Sequence, residues 1–92
     1  MEFEWDSQKA LANLKKHGVS FKDAAAALSD PFVVEELDLR DEYGEERVKA
    51  TAMLDGQILV IVFTERGDFY RIISARRANK HEQQYYYSEN RT

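Results

Sequence analysis

The longest uninterrupted apolar run in the chain extends from Ile58 to Phe63 and is rich in β-branched side chains. A run of this length is too short to span a membrane and is typical of a strand buried on both faces. Alternating apolar and polar positions predict a preceding strand at Arg47–Leu54, joined to the run by a tight turn at Asp55-Gly56. A turn at 64–68 and a strand at Phe69–Ala75 then predict a second hairpin.

Helical periodicity and capping signals occur toward both ends of the chain. They predict one helix over residues 7–16, a short second helix over 21–28 and a C-terminal helix opened by Asn79 that runs to about Ser88. A further strand is expected at 32–39. The pattern predicts one α+β domain over residues 1–92, in which a small antiparallel meander carries two N-terminal helices and a C-terminal helix.

Composition and charge narrow the classes of function. The absence of cysteine excludes disulfides and cysteine-based metal sites, and with no apolar leader at the N-terminus we expect a cytoplasmic protein. The net charge of −4 argues against a general nucleic-acid binder. However, residues 30–46 hold eight acidic side chains and one arginine, whereas residues 47–82 hold seven basic and four acidic ones. A basic surface can therefore exist on this acidic protein.

Four arginines fall on or beside the second predicted hairpin, namely Arg66, Arg71, Arg76 and Arg77. Because an unpaired guanidinium is costly to bury, these side chains must reach water, an acidic partner or a phosphate. Strict alternation places Arg71 and Arg76 on opposite faces of the strand. They can contribute to one site only if the strand twists or bulges, and Arg77 is the weakest candidate.

Several short motifs, in order and spacing, resemble the BrnT family of toxins from type II toxin–antitoxin systems. They are FEWD at 3–6, NLKKHGVSF at 13–21, SDP at 29–31, GEER at 44–47, VFTERGD at 62–68 and RIISARRA at 71–78. The resemblance implies a RelE-like fold, metal-independent ribonuclease activity and neutralisation by a BrnA-like antitoxin. It implies contact with DNA only through that antitoxin, and no cofactor.

A metal-free ribonuclease can use the 2′-hydroxyl of RNA as nucleophile, so the protein must stabilise the phosphorane and move protons. Arginine suits the first task because its guanidinium binds two phosphate oxygens at once, and imidazole suits the second because it titrates near neutral pH. The predicted catalytic residues are accordingly His17, Glu46, Arg66, Arg71 and Arg76. The alternative for His17 is a helix-terminal contact with exposed carbonyls, and for Glu46 a solvated carboxylate.

Four further residues are predicted to bind RNA: Lys16, Arg47, Arg77 and Tyr85. A tyrosine in the run 85–87 can stack on a base, although such a run more often packs one ring and exposes the others. Trp5 is expected in the core and His81 at the surface. The histidines and acids match no metal-ligand spacing, so no metal site is predicted.

Two other functions remain open from the sequence: an RNA-binding module that does not cleave, and a protein-interaction module with a basic face. If the chain is a toxin, we expect its antitoxin to cover the hairpin arginines and the C-terminal helix, placing acidic groups near Arg71 or Arg76.

Overall fold

In a computed structural model of the chain, residues 2–38 and 45–91 are described, and the predicted loop at 41–44 lies outside them. The described elements are β1 (Glu2–Glu4), α1 (Ser7–His17), α2 (Phe21–Ala27), β2 (Val34–Asp38), β3 (Arg47–Leu54), β4 (Gln57–Arg66), β5 (Phe69–Arg77) and α3 (Lys80–Glu89). The predicted α+β class is confirmed. No helix in these two stretches is long and apolar enough to cross a membrane.

The five strands form one sheet in the order β1-β5-β4-β3-β2. Strands β2 to β5 are antiparallel to their neighbours, but β1 pairs with β5 in parallel. The predicted antiparallel meander therefore does not describe the whole sheet, which is mixed. The cause is the connection: the chain leaves β1, passes through α1 and α2 to the far edge, and meanders back until β5 meets β1. The helices consequently follow a first strand.

Both predicted hairpins form, with different turn lengths. Asp55 and Gly56 have φ values of 49° and 80°, so both central residues of the first turn adopt the left-handed conformation that a two-residue hairpin favours. The second turn is shorter than predicted, because β4 continues to Arg66 and β5 resumes at Phe69. Gly67, at φ 59°, takes the positive φ of that turn.

The helix termini follow the predicted capping chemistry. The Asp6 side chain accepts a hydrogen bond from the Lys9 amide, and Gly18 ends α1 at φ 71°. At the start of α3, Asn79 and Glu82 form a full capping box, in which each side chain bonds the other residue's backbone amide.

The main core lies between the sheet and the pair α1 and α2. From α2 it takes Phe21 with the fully buried Ala24 and Ala27, whose small side chains let this helix approach the strands closely. The sheet contributes residues of its three central strands: Ala50, Ala52, Leu59, Ile61, Phe63, Ile72 and Ala75. The apolar run of β4 is buried on both faces, as predicted for a central strand.

Helix α3 packs on the opposite face of the sheet and covers only part of it. Tyr86 joins Ile58, Val60 and Ala78 in a small second cluster. The Tyr86 hydroxyl donates to Asp30, whose carboxylate also accepts from the backbone amide of Met53 at 2.8 Å. This contact ties the end of α3 to β3, and the rest of that face remains open.

Candidate active site

A β-bulge in β5 decides which side chains reach the open face. Val62 is opposite Ser74, but its neighbour Phe63 is opposite Ile72, so Ile73 is an extra residue in β5. Ile72 and Ala75 therefore both face the helix-side core although they are three residues apart. Strict alternation fails at this point.

The bulge places Arg71, Ser74 and Arg76 together on the open face. A twist or bulge in the strand was the condition under which the sequence allowed Arg71 and Arg76 to share one face. Arg71 is opposite Thr64 and Arg76 is opposite Val60, and these two residues of β4 share one face by their even spacing. The bulge thus converts an alternating strand into one with a continuous polar face.

This open face carries a cavity of about 610 Å³ beside α3. The floor is formed by Val60, Val62 and Ser74, and β2 forms one wall. Three basic side chains of different elements converge on it, since His17, Lys49 and Arg76 all line the cavity. The remaining lining residues come from β2: Glu36, Leu37 and Asp38. Cations are thus gathered over an apolar floor, with carboxylates along the rim.

Glu82 of α3 holds the two cations of the sheet in place. The Nη1 and Nη2 atoms of Arg76 donate to its two carboxylate oxygens at 2.7 and 2.8 Å, a bidentate arrangement. Lys49 Nζ lies 3.4 Å from the same carboxylate. A guanidinium has five N–H groups, so this pairing leaves others of Arg76 available for an incoming anion.

The protonation of these groups reflects that geometry. The hydrogen bonds from Arg76, more than those from Asn79 and Lys49, lower the pKa of Glu82 to about 2 against the opposing effect of burial. The same hydrogen bond raises the pKa of Arg76. Glu82 therefore remains a carboxylate throughout the physiological range, and Arg76 remains oriented toward the cavity.

His17 reaches the cavity because Asn13 fixes α1 against the free edge of β5. Asn13 is buried, and its Nδ2 donates to the carbonyl oxygens of Ala75 at 2.8 Å and Val19 at 3.0 Å. Its Oδ1 accepts from the Ala75 amide at 3.2 Å. His17 follows Asn13 by four residues, so both lie on the same side of the helix, next to Ser74 and Arg76.

The other predicted catalytic arginines lie on this side of the sheet but outside the cavity lining. Arg71 is 3.7 Å from Glu4 of the neighbouring β1. Arg66 is at the end of β4, 3.5 Å from Glu45. Six strand residues separate Arg66 from Val60, the partner of Arg76, which corresponds to about 20 Å. The three arginines therefore follow the strand pair and do not converge on one point.

Glu46 and Arg47 also lie outside the cavity. The backbone oxygen of Glu46 accepts a hydrogen bond from Thr64 Oγ1 at 2.9 Å, and its side chain is exposed. Arg47 is half-buried at the start of β3, with Nη2 3.4 Å from Glu45. Both residues thus belong to the Arg66 end of the sheet.

The remaining predicted RNA-binding residues are dispersed. Lys16 is exposed on α1, and Arg77 donates from Nε to Gln57 at 3.3 Å at the opposite end of β4 from Arg66. Tyr85 is half-buried on α3 and lines a smaller hollow next to the cavity together with Glu36 and Lys49. Burial, followed by the charge of Glu36, raises the pKa of Tyr85. Of these three, only Tyr85 adjoins the cavity.

Sequence reasoning missed Lys49 and misjudged the importance of Glu82. Alternation did place Lys49 on the same side of β3 as Arg47, and this was the available signal. Glu82 lies three residues after the predicted helix start at Asn79, but its ion pair with Arg76 depends on how α3 crosses the sheet. Within residues 2–38 and 45–91, no group of three or more His, Asp or Glu side chains is arranged to hold a metal ion.

Comparison with known proteins identifies one family. The model of the BrnT ribonuclease toxins of type II toxin–antitoxin systems matches residues 5–82, which is well over half of the chain. This range begins at Trp5, directly after β1, and includes all five of the predicted catalytic residues and the Arg76–Glu82 pair. No curated protein matches the chain.

Proposed function

Since the chain belongs to the BrnT family of ribonuclease toxins of type II toxin–antitoxin systems, we propose that it is a metal-independent endoribonuclease of RelE-like fold. In this proposal residues 1–92 form one domain that acts on cytoplasmic RNA, inhibits translation and is neutralised by a BrnA-like antitoxin. The observation that carries the proposal is the convergence of His17, Lys49 and Arg76 on one open cavity.

The proposed reaction is an attack of the RNA 2′-oxygen on the adjacent phosphorus. The new 2′-O–P bond forms as the bond to the 5′-oxygen of the next nucleotide breaks, which gives a 2′,3′-cyclic phosphate and a free 5′-hydroxyl. One proton leaves the 2′-hydroxyl and one is supplied to the 5′-oxygen. The protein must therefore stabilise a doubly charged phosphorane and provide a group that exchanges protons.

Arg76 and Lys49 are suited to the charge-stabilising role. Glu82 fixes both cations before substrate arrives, so little reorganisation is needed when negative charge develops on the phosphate oxygens. The apolar floor of Val60 and Val62 lowers the local polarity and strengthens their interaction with the phosphate. Glu82 is in this scheme a positioning residue, since it acts through Arg76 and Lys49.

His17 is the proposed proton-transfer residue. Its imidazole lines the same cavity as both cations, and it lies at the edge of the cavity formed by α1 and β5. The carboxylates of Glu36 and Asp38 line the opposite side, along β2. The Glu46 carboxylate takes no part in this scheme, because Glu46 lies toward the Arg66 end of the sheet and outside the cavity lining.

Arg71, Arg66 and Arg47 are proposed to bind RNA phosphates away from the cleaved bond. They follow the open face of the strands at successive distances from the cavity. Such contacts fix the register of the RNA backbone and make affinity depend on salt. Tyr85, which lines the hollow beside the cavity, is proposed to stack on a base next to the cleaved bond. Lys16 and Arg77 are left with weaker, peripheral roles.

The experiment is incubation of the purified chain with RNA in the presence of EDTA, followed by identification of the product ends. The expected result is cleavage that survives chelation and leaves a 2′,3′-cyclic phosphate or its 3′-phosphate hydrolysis product. Products with 5′-phosphate and 3′-hydroxyl ends would contradict the 2′-hydroxyl mechanism. Salt-sensitive RNA binding without cleavage would instead establish the non-catalytic alternative.

A further inference from the structure

An apolar groove of about 360 Å³ runs between α1 and α2 on the surface away from the sheet. Its exposed walls are Trp5, Leu11 and Leu14, and its base is the buried Phe21. Trp5 was expected in the core but is 37% exposed. It follows the last residue of β1, and its indole forms a T-shaped contact with Phe21 at 6.1 Å between ring centroids.

The exposure of these side chains is not needed for the fold. Leu11 is 68% exposed and Leu14 is 45% exposed, while the buried side of α1 is already provided by Asn13 and Ala10. Neighbouring exposed leucines on one helix face, joined to an exposed tryptophan, form a continuous apolar surface of the kind that marks a protein interaction site.

The groove is bordered by positive charge. Lys22 lines it, and Lys15 follows Leu11 by one helical turn along the same side of α1. Neither lysine pairs with a carboxylate in the described part of the chain. Over residues 6–29 there are four lysines and two aspartates, so this surface is basic on a protein of net charge −4.

The arginines of the sheet are in the opposite situation. Arg66, Arg71 and Arg76 each already lie within 4 Å of a carboxylate of their own chain. An acidic partner that approached them would have to compete with Glu45, Glu4 and Glu82. The groove offers uncompensated cations next to exposed apolar side chains, and it is therefore the better surface for an acidic, amphipathic partner.

We propose that the antitoxin anchors in this groove through an amphipathic segment whose apolar side chains contact Trp5, Leu11 and Leu14 and whose flanking acidic residues pair with Lys15 and Lys22. The inference rests on the proposed toxin function for the existence of that partner, and it replaces the hairpin arginines as the expected anchor. Protein interfaces commonly have an apolar centre and a charged rim. The centre contributes most of the affinity, and the rim contributes to the association rate and the specificity.

The groove and the cavity share no lining residue, although α1 contributes to both. Affinity for the cognate antitoxin is measured by calorimetry with three variants of the full chain. The double variant Leu11→Gln/Leu14→Gln removes the apolar wall, Lys15→Glu/Lys22→Glu reverses the rim charge, and Tyr87→Ser removes a 56% exposed aromatic residue of α3 as a control. Thermal unfolding and RNA cleavage without antitoxin are measured for each.

The leucine variant is expected to weaken antitoxin binding by at least tenfold, and the lysine variant by about fivefold with a reduced dependence on salt. Tyr87→Ser is expected to leave affinity within twofold. All three should unfold at temperatures close to that of the parent chain, because the substituted side chains are exposed.

Unchanged affinity in the leucine variant, with a loss in Tyr87→Ser, would overturn the proposal in favour of a site on α3. A parent chain that is dimeric alone and becomes monomeric in the leucine variant would equally overturn it, since a second copy would then occupy the groove. Failure of the ribonuclease proposal would give a different result from failure of the groove proposal. The parent chain would then not cleave RNA, but the leucine and lysine variants would still bind the antitoxin more weakly than the parent chain.

Discussion

The side chain of Asn13 pairs with both backbone polar groups of Ala75, accepting from the amide at 3.2 Å and donating to the carbonyl oxygen at 2.8 Å. These groups point away from β4, on the edge of β5 beyond the short stretch that β1 covers. Asn13 thus completes the edge as a neighbouring strand would, and it fixes the end of α1 that carries His17.

Replacement of Asn13 by alanine is expected to destabilise the fold by about 2–4 kcal/mol, because it leaves the buried amide and carbonyl of Ala75 and the carbonyl of Val19 without their partner. Urea unfolding monitored by circular dichroism measures the change. Asn90→Ala, which removes two side-chain hydrogen bonds at the C-terminal end of α3, is the control and should cost less than half as much. Equal costs would contradict a special role for Asn13.

Arg76→Ala and Lys49→Ala are each expected to lower the single-turnover rate of RNA cleavage. A preorganised electrostatic contact to the transition state is commonly worth about 3–4 kcal/mol, or about 10²–10³ in rate. Arg76 should have the larger effect, because a guanidinium can donate to two phosphate oxygens at once. The matched control is Arg91→Ala, an exposed arginine that does not line the cavity. If both cavity variants retain the parent rate while remaining folded, the cavity is not the active site.

His17→Gln is expected to reduce cleavage by about 10²–10⁴, since glutamine keeps hydrogen-bonding capacity but cannot transfer a proton. His81→Gln tests the other histidine, which lines the adjoining hollow with Tyr85 but not the cavity, and it should change the cleavage rate far less. A parent-like cleavage rate in His17→Gln would exclude proton transfer by His17.

Acid sensitivity should report the Arg76–Glu82 pair. The pKa of Glu82 is lowered to about 2 from its ordinary value of 4.5, so its contribution to stability is fully present above about pH 4.5 and is lost as the pH falls toward 2. We expect that contribution to be about 1–2 kcal/mol, because the Arg76 side chain remains 40% exposed and solvent screens the pair.

The measurement is the free energy of unfolding of the parent chain and of Glu82→Gln at several pH values between 2 and 7. The variant should be less stable at neutral pH, and the difference should shrink as the pH approaches 2. Glu89→Gln, an exposed glutamate of the same helix, is the control. A difference that stays constant with pH would show that Glu82 acts through packing and not through its charge.

Local patterns were sufficient for most of the elements. The strand at Arg47–Leu54, the Asp55-Gly56 turn and the start of α3 at Asn79 were predicted because each depends on side chains a few residues apart. The candidate site was only partly predictable. His17 and Arg76 were identified by side-chain chemistry. Alternation placed Lys49 only on the same side of β3 as Arg47, and nothing local indicated that Arg66 would lie at the far end of the strand from Arg76.

The sequence by itself determined the α+β class, the buried central strand and the kinds of side chain available for phosphate chemistry, since alternation, capping and charge act over short separations. Only the tertiary structure decided the rest. The parallel pairing of β1 with β5 joins residues more than 60 positions apart. The bulge at Ile73 arises because Ile72 and Ala75 both gain by burial in one core, and it turns Arg71, Ser74 and Arg76 to the same face.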